Sequence, residues 1–350
     1  MRVIVVGGGV VGCHVALHFA GRKNEVFLLE KNPRLGQETS TRNSGVLHAG
    51  IYYRRDSLKA RLCVEGNARS REFFARHDVP FRPTGKYIIS KGGREDEDLE
   101  KLFQNALANG VPGMERVLPE EVTREAPFIR CSSALFSSST GILDASEYLT
   151  ILKGLLYQAD VTVLCGCRAL GVDSGGVETD RGYIEGDVMI NAAGLYADDL
   201  ASGSGLEDYR VIPLKGDYYC TLTFPLEVPI YPLPNRELNT LGIHFTPTFG
   251  REVLIGPSEH SSRGKGDYSV ETPREVFERE LRDVLTLASY EAIEIHEGFS
   301  GNRPRAYKGE ERCDDFVIIR KPDNVIHLLG IESPGLTAAP ALAAHLAALL

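Results

Sequence analysis

Residues 3–30 read VIVVGGGVVGCHVALHFAGRKNEVFLLE, and this stretch decides the fold. Val3 to Val6 is an unbroken apolar run, as expected for a parallel strand buried on both faces. Gly7, Gly9 and Gly12 follow at once in G-x-G-x-x-G spacing, and Val10, Val11, Ala16, Leu17 and Phe19 give the next helix its apolar side. A second strand, Glu25 to Leu29, ends on Glu30, an acid about 20 residues past the motif. Gly7 permits a tight turn, Gly9 lets the backbone approach a pyrophosphate, and Gly12 lets helix and strand pack closely. The helix N-terminus offers free N–H groups and partial positive charge to phosphates, and Glu30 can accept from ribose hydroxyls. The motif alone does not separate NAD from FAD. An acid at Glu30 disfavours a 2′-phosphate, and so NADP.

The chain has 350 residues, enough for two domains. Its net charge of −9 leaves no basic footprint, which argues against nucleic acid and against simple binding to anionic lipid. The 7 cysteines are scattered, with no C-x-x-C pair, as in reduced cytoplasmic thiols. Cys165 and Cys167 read as small buried hydrophobes, and no metal site is expected. His14 and His18 lie four apart on the first helix, but no Glu follows His14 and no third ligand is evident, so they read as structural. No run of 18 apolar residues is present, and no transmembrane segment is expected.

Parallel elements sit near both ends and in the middle, around Val161–Cys165 and Gly182–Ile190. Strand-like stretches with Pro and Gly breaks, Arg82–Ser90, Val211–Leu222 and Leu241–Ile255, lie between them. Lys59–His77, Glu147–Gln158 and Pro273–Leu287 read as helices, and Phe316–Arg320 with Val325–Gly330 as a hairpin. The economical assembly is α/β: a discontinuous Rossmann-like cofactor-binding domain and an inserted substrate domain on a mainly antiparallel sheet. Residues 1–78, 139–208 and 300–350 are expected in the first, and 79–138 and 209–299 in the second.

After Glu30, residues Thr39 to Tyr53 are rich in Ser, Thr, Asn and Gly, suited to a chain passing a polar cofactor. RNSGVLHAGIYY (42–53) followed by SLKARLCVEGN resembles the L-2-hydroxyglutarate dehydrogenase/oxidase family, within the D-amino-acid-oxidase-like FAD-dependent oxidoreductases. PFRPTGKYIIS, LANGVPG, LPEEV, STGILD, VMINAAGLYADDLA, LKGDYY, LGIHFTP, LIGPSE and GIESPGLTAAPALAAHLAAL match in order, so the resemblance covers essentially the whole chain.

The resemblance implies FAD, held by Gly7, Gly9, Gly12, Glu30, Lys31, Thr41, Arg42, Asn43, Ser44, Gly45, Ala169, Gly194, Pro334, Gly335, Leu336 and Thr337. It implies a 2-hydroxy dicarboxylic acid as substrate, oxidised at C2 by hydride transfer to flavin N5, with dioxygen or a quinone as acceptor. That chemistry needs a base near pKa 7, where His ordinarily lies, and cations for the carboxylates. His48 is the first candidate base; the alternatives are a histidine that only bonds the flavin or backbone and, less favoured, a covalent flavin link. His244, in LGIHFTP, is the second. Arg303 is expected to clamp a carboxylate bidentately. Arg305 reads equally as a clamp or a surface ion pair. Lys215 is expected at the second carboxylate, and Tyr52, Tyr53 and Tyr219 at the pocket wall. Cytoplasmic location is expected, with peripheral contact at the inner face of a membrane left open for a quinone acceptor.

Rival readings are an amino-acid oxidase or glycerol-3-phosphate-type dehydrogenase of the same fold, an NAD-dependent Rossmann dehydrogenase, and a non-catalytic flavin-binding module. An amine changes the base requirement, a phosphate changes the cation set, and a non-catalytic module would hold a flavin that no hydroxy acid reduces.

Overall fold

A computed structural model describes residues 1–233 and 243–350. Leu241 and Gly242 of the LGIHFTP segment lie outside the described residues. The opening strand is Arg2–Val6, the helix Val10–Ala20 and the second strand Glu25–Glu30. They belong to a six-stranded sheet with the order Val317–Arg320, Val325–Leu329, Val188–Asn191, Arg2–Val6, Glu25–Glu30, Thr162–Cys165. All its pairs are parallel except the edge hairpin Val317–Arg320 with Val325–Leu329.

The apolar run in the first strand is explained by burial on both faces. Val3 and Val5 pack among the helices Val10–Ala20, Ala145–Gln158 and Gly335–Ala347. Ile4 and Val6 face the opposite way, against Val172, Val177 and Leu200. There a three-stranded meander, Ala169–Val172, Gly176–Thr179 and Gly182–Glu185, covers the sheet. The expected single stretch Gly182–Ile190 is therefore two strands, one in the meander and one, Val188–Asn191, in the parallel sheet.

The second large sheet has ten strands and is antiparallel except where Ile230–Pro232 runs parallel to Tyr87–Ser90. Its spine is the pair Tyr209–Thr221 and His296–Lys308, each 13 residues long. Its outer face buries Phe277, Leu281 and Val284 of the helix Arg274–Val284. The architecture is thus the α/β combination expected. The strand His296–Lys308 runs straight through the expected divide at 299/300. Phe81–Arg82 pairs not with the large sheet but with Gly141–Leu143, beside Val46–Leu47, in a separate three-stranded sheet. No helix among the described residues is long and apolar enough to cross a membrane.

Candidate active site

One elongated cavity of about 790 Å³ runs from the glycine turn to the inner face of the ten-stranded sheet. That volume lies in the upper part of the range of about 300–1,000 Å³ usual for small-molecule sites.

At one end the chain offers mostly backbone. Gly7 sits at φ +110°, and a Cβ there would lie 2.3 Å from the Ala192 carbonyl oxygen. A Cβ on Gly12 would lie 1.9 Å from the Gly7 carbonyl oxygen, so Gly12 serves packing and does not line the cavity. Gly9 caps the first helix in an extended conformation, and the Val10 N–H donates to Ser40 Oγ at 3.0 Å. The Glu30 carboxylate accepts from the N–H groups of Gly8 and Asn32, both at 2.8 Å. Glu30 and Lys31 line the cavity, and Lys31 Nζ bonds Glu38 and lies 4.4 Å from the Tyr196 ring centroid. Ala169 and Gly194 line it too, and at Gly194 a Cβ would meet nothing within 4 Å.

Along the middle, Arg42, Asn43 and Ser44 face the cavity. Thr41 does not: its Oγ1 donates to the Gly36 carbonyl. Gly45 is turned away as well, with φ +63°, its carbonyl accepting from Leu143 N–H. Pro334, Gly335 and Leu336 bring the first turn of the helix Gly335–Ala347 to the wall. Thr337 is fully buried behind them, and its Oγ1 accepts from the His48 N–H at 2.9 Å. Thr337 therefore positions His48 from behind the wall. Asn67 Nδ2 fixes the same residue by donating to its carbonyl at 2.9 Å.

The far end is built of side chains. His48, Tyr52, Tyr53, Tyr218, Tyr231, His244, Arg303 and Arg305 all line it. His244 stacks on Tyr231, centroids 3.6 Å apart and planes 11° apart. Arg303 Nη1 and Arg305 Nη1 each lie 3.5 Å from the Glu259 carboxylate. Arg305 also lies 3.5 Å from Glu332, which Lys59 contacts at 2.9 Å. Arg305 is thus in the cavity wall, not in a surface ion pair. Burial opposes ionisation of Glu332, but Lys59 and Arg305 overrule it and hold its carboxyl below the usual range. Burial, with Lys86 and Arg303 nearby, pushes the His48 imidazole down to about 3.

Lys215 is not at this end. It is fully buried, donates to Asp267 at 2.7 Å and to the Ser269 carbonyl at 3.1 Å, and does not line the cavity. Successive residues of a strand face opposite sides, and in Tyr209–Thr221 the cavity side belongs to Gly216 and Tyr218. The same alternation turns Tyr219 outward onto Phe277, with centroids 4.6 Å apart. Sequence reasoning also passed over Lys86, Tyr231, Glu259 and Glu332. The available signals were a lysine directly before the apolar run Tyr87–Ile89, and the acids in the segments LIGPSE and GIES.

A family model described as FAD dependent oxidoreductase matches residues 2–349. The chain belongs to this family. It is an FAD-dependent oxidoreductase, and the residues present fit the cofactor. Two helix N-termini meet one cavity, an acid closes the second strand, and Asn302 in the wall keeps a buried Oδ1 without a partner among the described residues. The chain is 32% identical over 329 residues to the mitochondrial L-2-hydroxyglutarate dehydrogenase of Caenorhabditis elegans, covering 88% of this chain and 73% of that one. It is 28% identical over 358 residues to a glycerol 3-phosphate dehydrogenase of Caloramator mitchellensis, covering 98% and 72%. Among solved structures, the dithionite-reduced L-alpha-glycerophosphate oxidase of Mycoplasma pneumoniae with FAD bound superposes with a TM-score of 0.88 at 25% identity, over 100% of this chain and 94% of that one.

Proposed function

We propose that this oxidoreductase converts L-2-hydroxyglutarate to 2-oxoglutarate and passes the electrons to dioxygen or a quinone-type acceptor. The observation that carries the reading is the cationic end of the cavity, which Arg303 and Arg305 line together with His48 in a chain similar to L-2-hydroxyglutarate dehydrogenase. Bound FAD supplies a hydride acceptor. The cofactor would lie along Gly7, Gly9, Glu30, Lys31, Arg42, Asn43, Ser44, Ala169, Gly194, Pro334, Gly335 and Leu336. Gly12, Thr41, Gly45 and Thr337 support that wall from behind.

Arg303 then pairs with the carboxylate next to the reacting carbon, with its guanidinium loosely held by Glu259 and free to re-pair. His48 would accept the hydroxyl proton, the C–H electron pair would leave C2 with its hydrogen as hydride for the acceptor, and the O–H electron pair would close the C=O bond of the 2-oxo product. A neutral imidazole is what a base requires, and a dianion bound beside it raises its proton affinity from the low value in the free protein. His244, held flat against Tyr231, borders the same space. Lys215 has no part in this scheme.

The test is the visible spectrum of the flavin-loaded protein during anaerobic titration. Bleaching by L-2-hydroxyglutarate and not by its D-enantiomer is the expected outcome. Glycerol 3-phosphate is the second reading, favoured by the Caloramator relative and the Mycoplasma fold match. Bleaching by that compound alone would replace the first reading, bleaching by an amino acid alone would favour an amino-acid oxidase, and a flavin that none of them reduces would favour a non-catalytic module.

A further inference from the structure

One charge at the cationic end has no part in the scheme above. Lys86 is 1% exposed, directly before the strand Tyr87–Ser90. Its ammonium lies 4.7 Å from the Tyr52 ring centroid and 4.4 Å from that of Tyr231. Both rings line the cavity and Lys86 does not, so the ammonium lies behind an aromatic wall. Among the described residues, no carboxylate stands at ion-pair distance from it. Burying an unpaired ion costs several kcal/mol, and a cation–π contact returns about 0.5–2 kcal/mol per ring, so the rings offset only part of that cost.

The charges nearby do not supply the rest. Lys59, Glu332, Arg305, Glu259 and Arg303 form a linked row of three cations and two carboxylates. Among these described residues the row sums to one positive charge, and a protonated Lys86 adds a second.

We propose that Lys86 makes the site select dianionic substrates, its charge acting through the Tyr52–Tyr231 wall, and that it takes up a proton when the dianion binds. The assignment rests on the reading of this end as the substrate end, and it supplies the charge class of that substrate. The shifts of the groups nearest Lys86 run in different directions. Burial pushes the Tyr52 and Tyr231 phenols and the Cys63 thiol up, and holds His48 neutral. It brings Lys86 down to about 7, with Cys63 acting weakly the other way. A dianion arriving in front of the wall favours the charged ammonium and raises that value.

Flavin-loaded wild type, Lys86→Met and Lys86→Arg are compared for kcat/KM on L-2-hydroxyglutarate and on the monoanion L-2-hydroxybutyrate. Lys86→Met is expected to lower the dianion-to-monoanion ratio by about 10-fold or more, through KM, with flavin content retained and the melting temperature equal or higher. Lys86→Arg restores most of the ratio. An unchanged ratio in Lys86→Met overturns the assignment while leaving the proposed reaction intact. If glycerol 3-phosphate proves to be the substrate, the proposed reaction fails, and the ratio for glycerol 3-phosphate over glycerol decides on Lys86 alone. If neither dianion is oxidised, both fall. Should Lys86→Met fail to fold, calorimetry on the wild type decides, with the oxidised dianion's keto product, 2-oxoglutarate or dihydroxyacetone phosphate, as ligand. Titration at pH 7.5 in buffers of different ionisation enthalpy should show fractional proton uptake, and zero uptake overturns the proposal.

Discussion

The two ends of the cavity are built by different means. The end around Gly7, Gly9 and Glu30 is made of consecutive residues, and its shape comes from backbone that approaches too closely for side chains. The end around His48 and Arg303 is made of side chains that arrive from the small three-stranded sheet's loop and from two long antiparallel strands. A local motif writes the first end into a short stretch of sequence. The second exists only after the large sheet has assembled, and its electrostatics depend on which acids and cations happen to become neighbours. Substitutions at the first end should therefore act on folding and cofactor retention together, and those at the second on turnover with the cofactor kept.

The largest effect is expected at the first end. Gly12→Ala places a methyl group 1.9 Å from the Gly7 carbonyl oxygen, with backbone on both sides of the clash. Overpacking of this kind costs up to about 3 kcal/mol. The expected outcome is protein that purifies without flavin and melts well below the wild type, measured by flavin absorbance and thermal unfolding. Retention of flavin at full occupancy would break the claim that close helix–strand approach builds this end.

His48→Asn should come next, with kcat lowered by roughly 10²–10⁴-fold, the usual contribution of a positioned base, and flavin content unchanged. The pH dependence sharpens the point. With its imidazole pushed down to about 3 by burial and nearby cations, His48 binds fewer protons than the unfolded chain between about 3 and 6.5. Its contribution to stability is thus fully present above pH 6.5 and is lost as pH falls through that window. In wild type, the melting temperature should fall on acidification from pH 6.5 to 4.5 by more than in His48→Asn.

Arg303→Met is expected to lower kcat/KM by about 100-fold, since loss of one partner of a desolvated charge pair costs about 2–5 kcal/mol. Its effect should sit in KM, which separates a carboxylate clamp from the base. An equal loss in kcat with KM unchanged would move Arg303 from binding to the chemical step.

The difference between the ends also explains what the sequence made legible. Gly7, Gly9, Gly12 and Glu30 could be read directly, because spacing along one βαβ unit dictates their geometry. His48, Arg303 and Arg305 could be suspected only through resemblance, since the first two lie 255 positions apart and no local pattern joins them. Lys86 and Tyr231 were not legible at all: each has meaning only across the strand pair Tyr87–Ser90 and Ile230–Pro232. The lowered pKa of His48 comes first from burial, and then from Lys86 and Arg303, and none of these can be read from the residues beside it in sequence.

Lys215 tests the alternation argument most directly, and through an expected near-absence of effect. Its neighbour Gly216 lines the cavity, while Lys215 points to the opposite side and holds Asp267 and the Ser269 carbonyl. Lys215→Met should leave kcat/KM close to the wild-type value, because the side chain lies outside the cavity and touches none of its lining cations. What it should change is acid stability. The Lys215 ammonium, followed by the Ser269 hydroxyl and N–H, holds the Asp267 carboxyl well below its usual range. A carboxyl lowered in the folded state contributes stability that is present above its unfolded pKa and lost as pH falls through the folded value. Lys215→Met should thus melt lower than wild type at pH 6, and the gap should narrow as the pH is taken below 4. A 100-fold rise in KM instead would put Lys215 back among the substrate cations and would mean that the strand Tyr209–Thr221 presents its other face to the cavity.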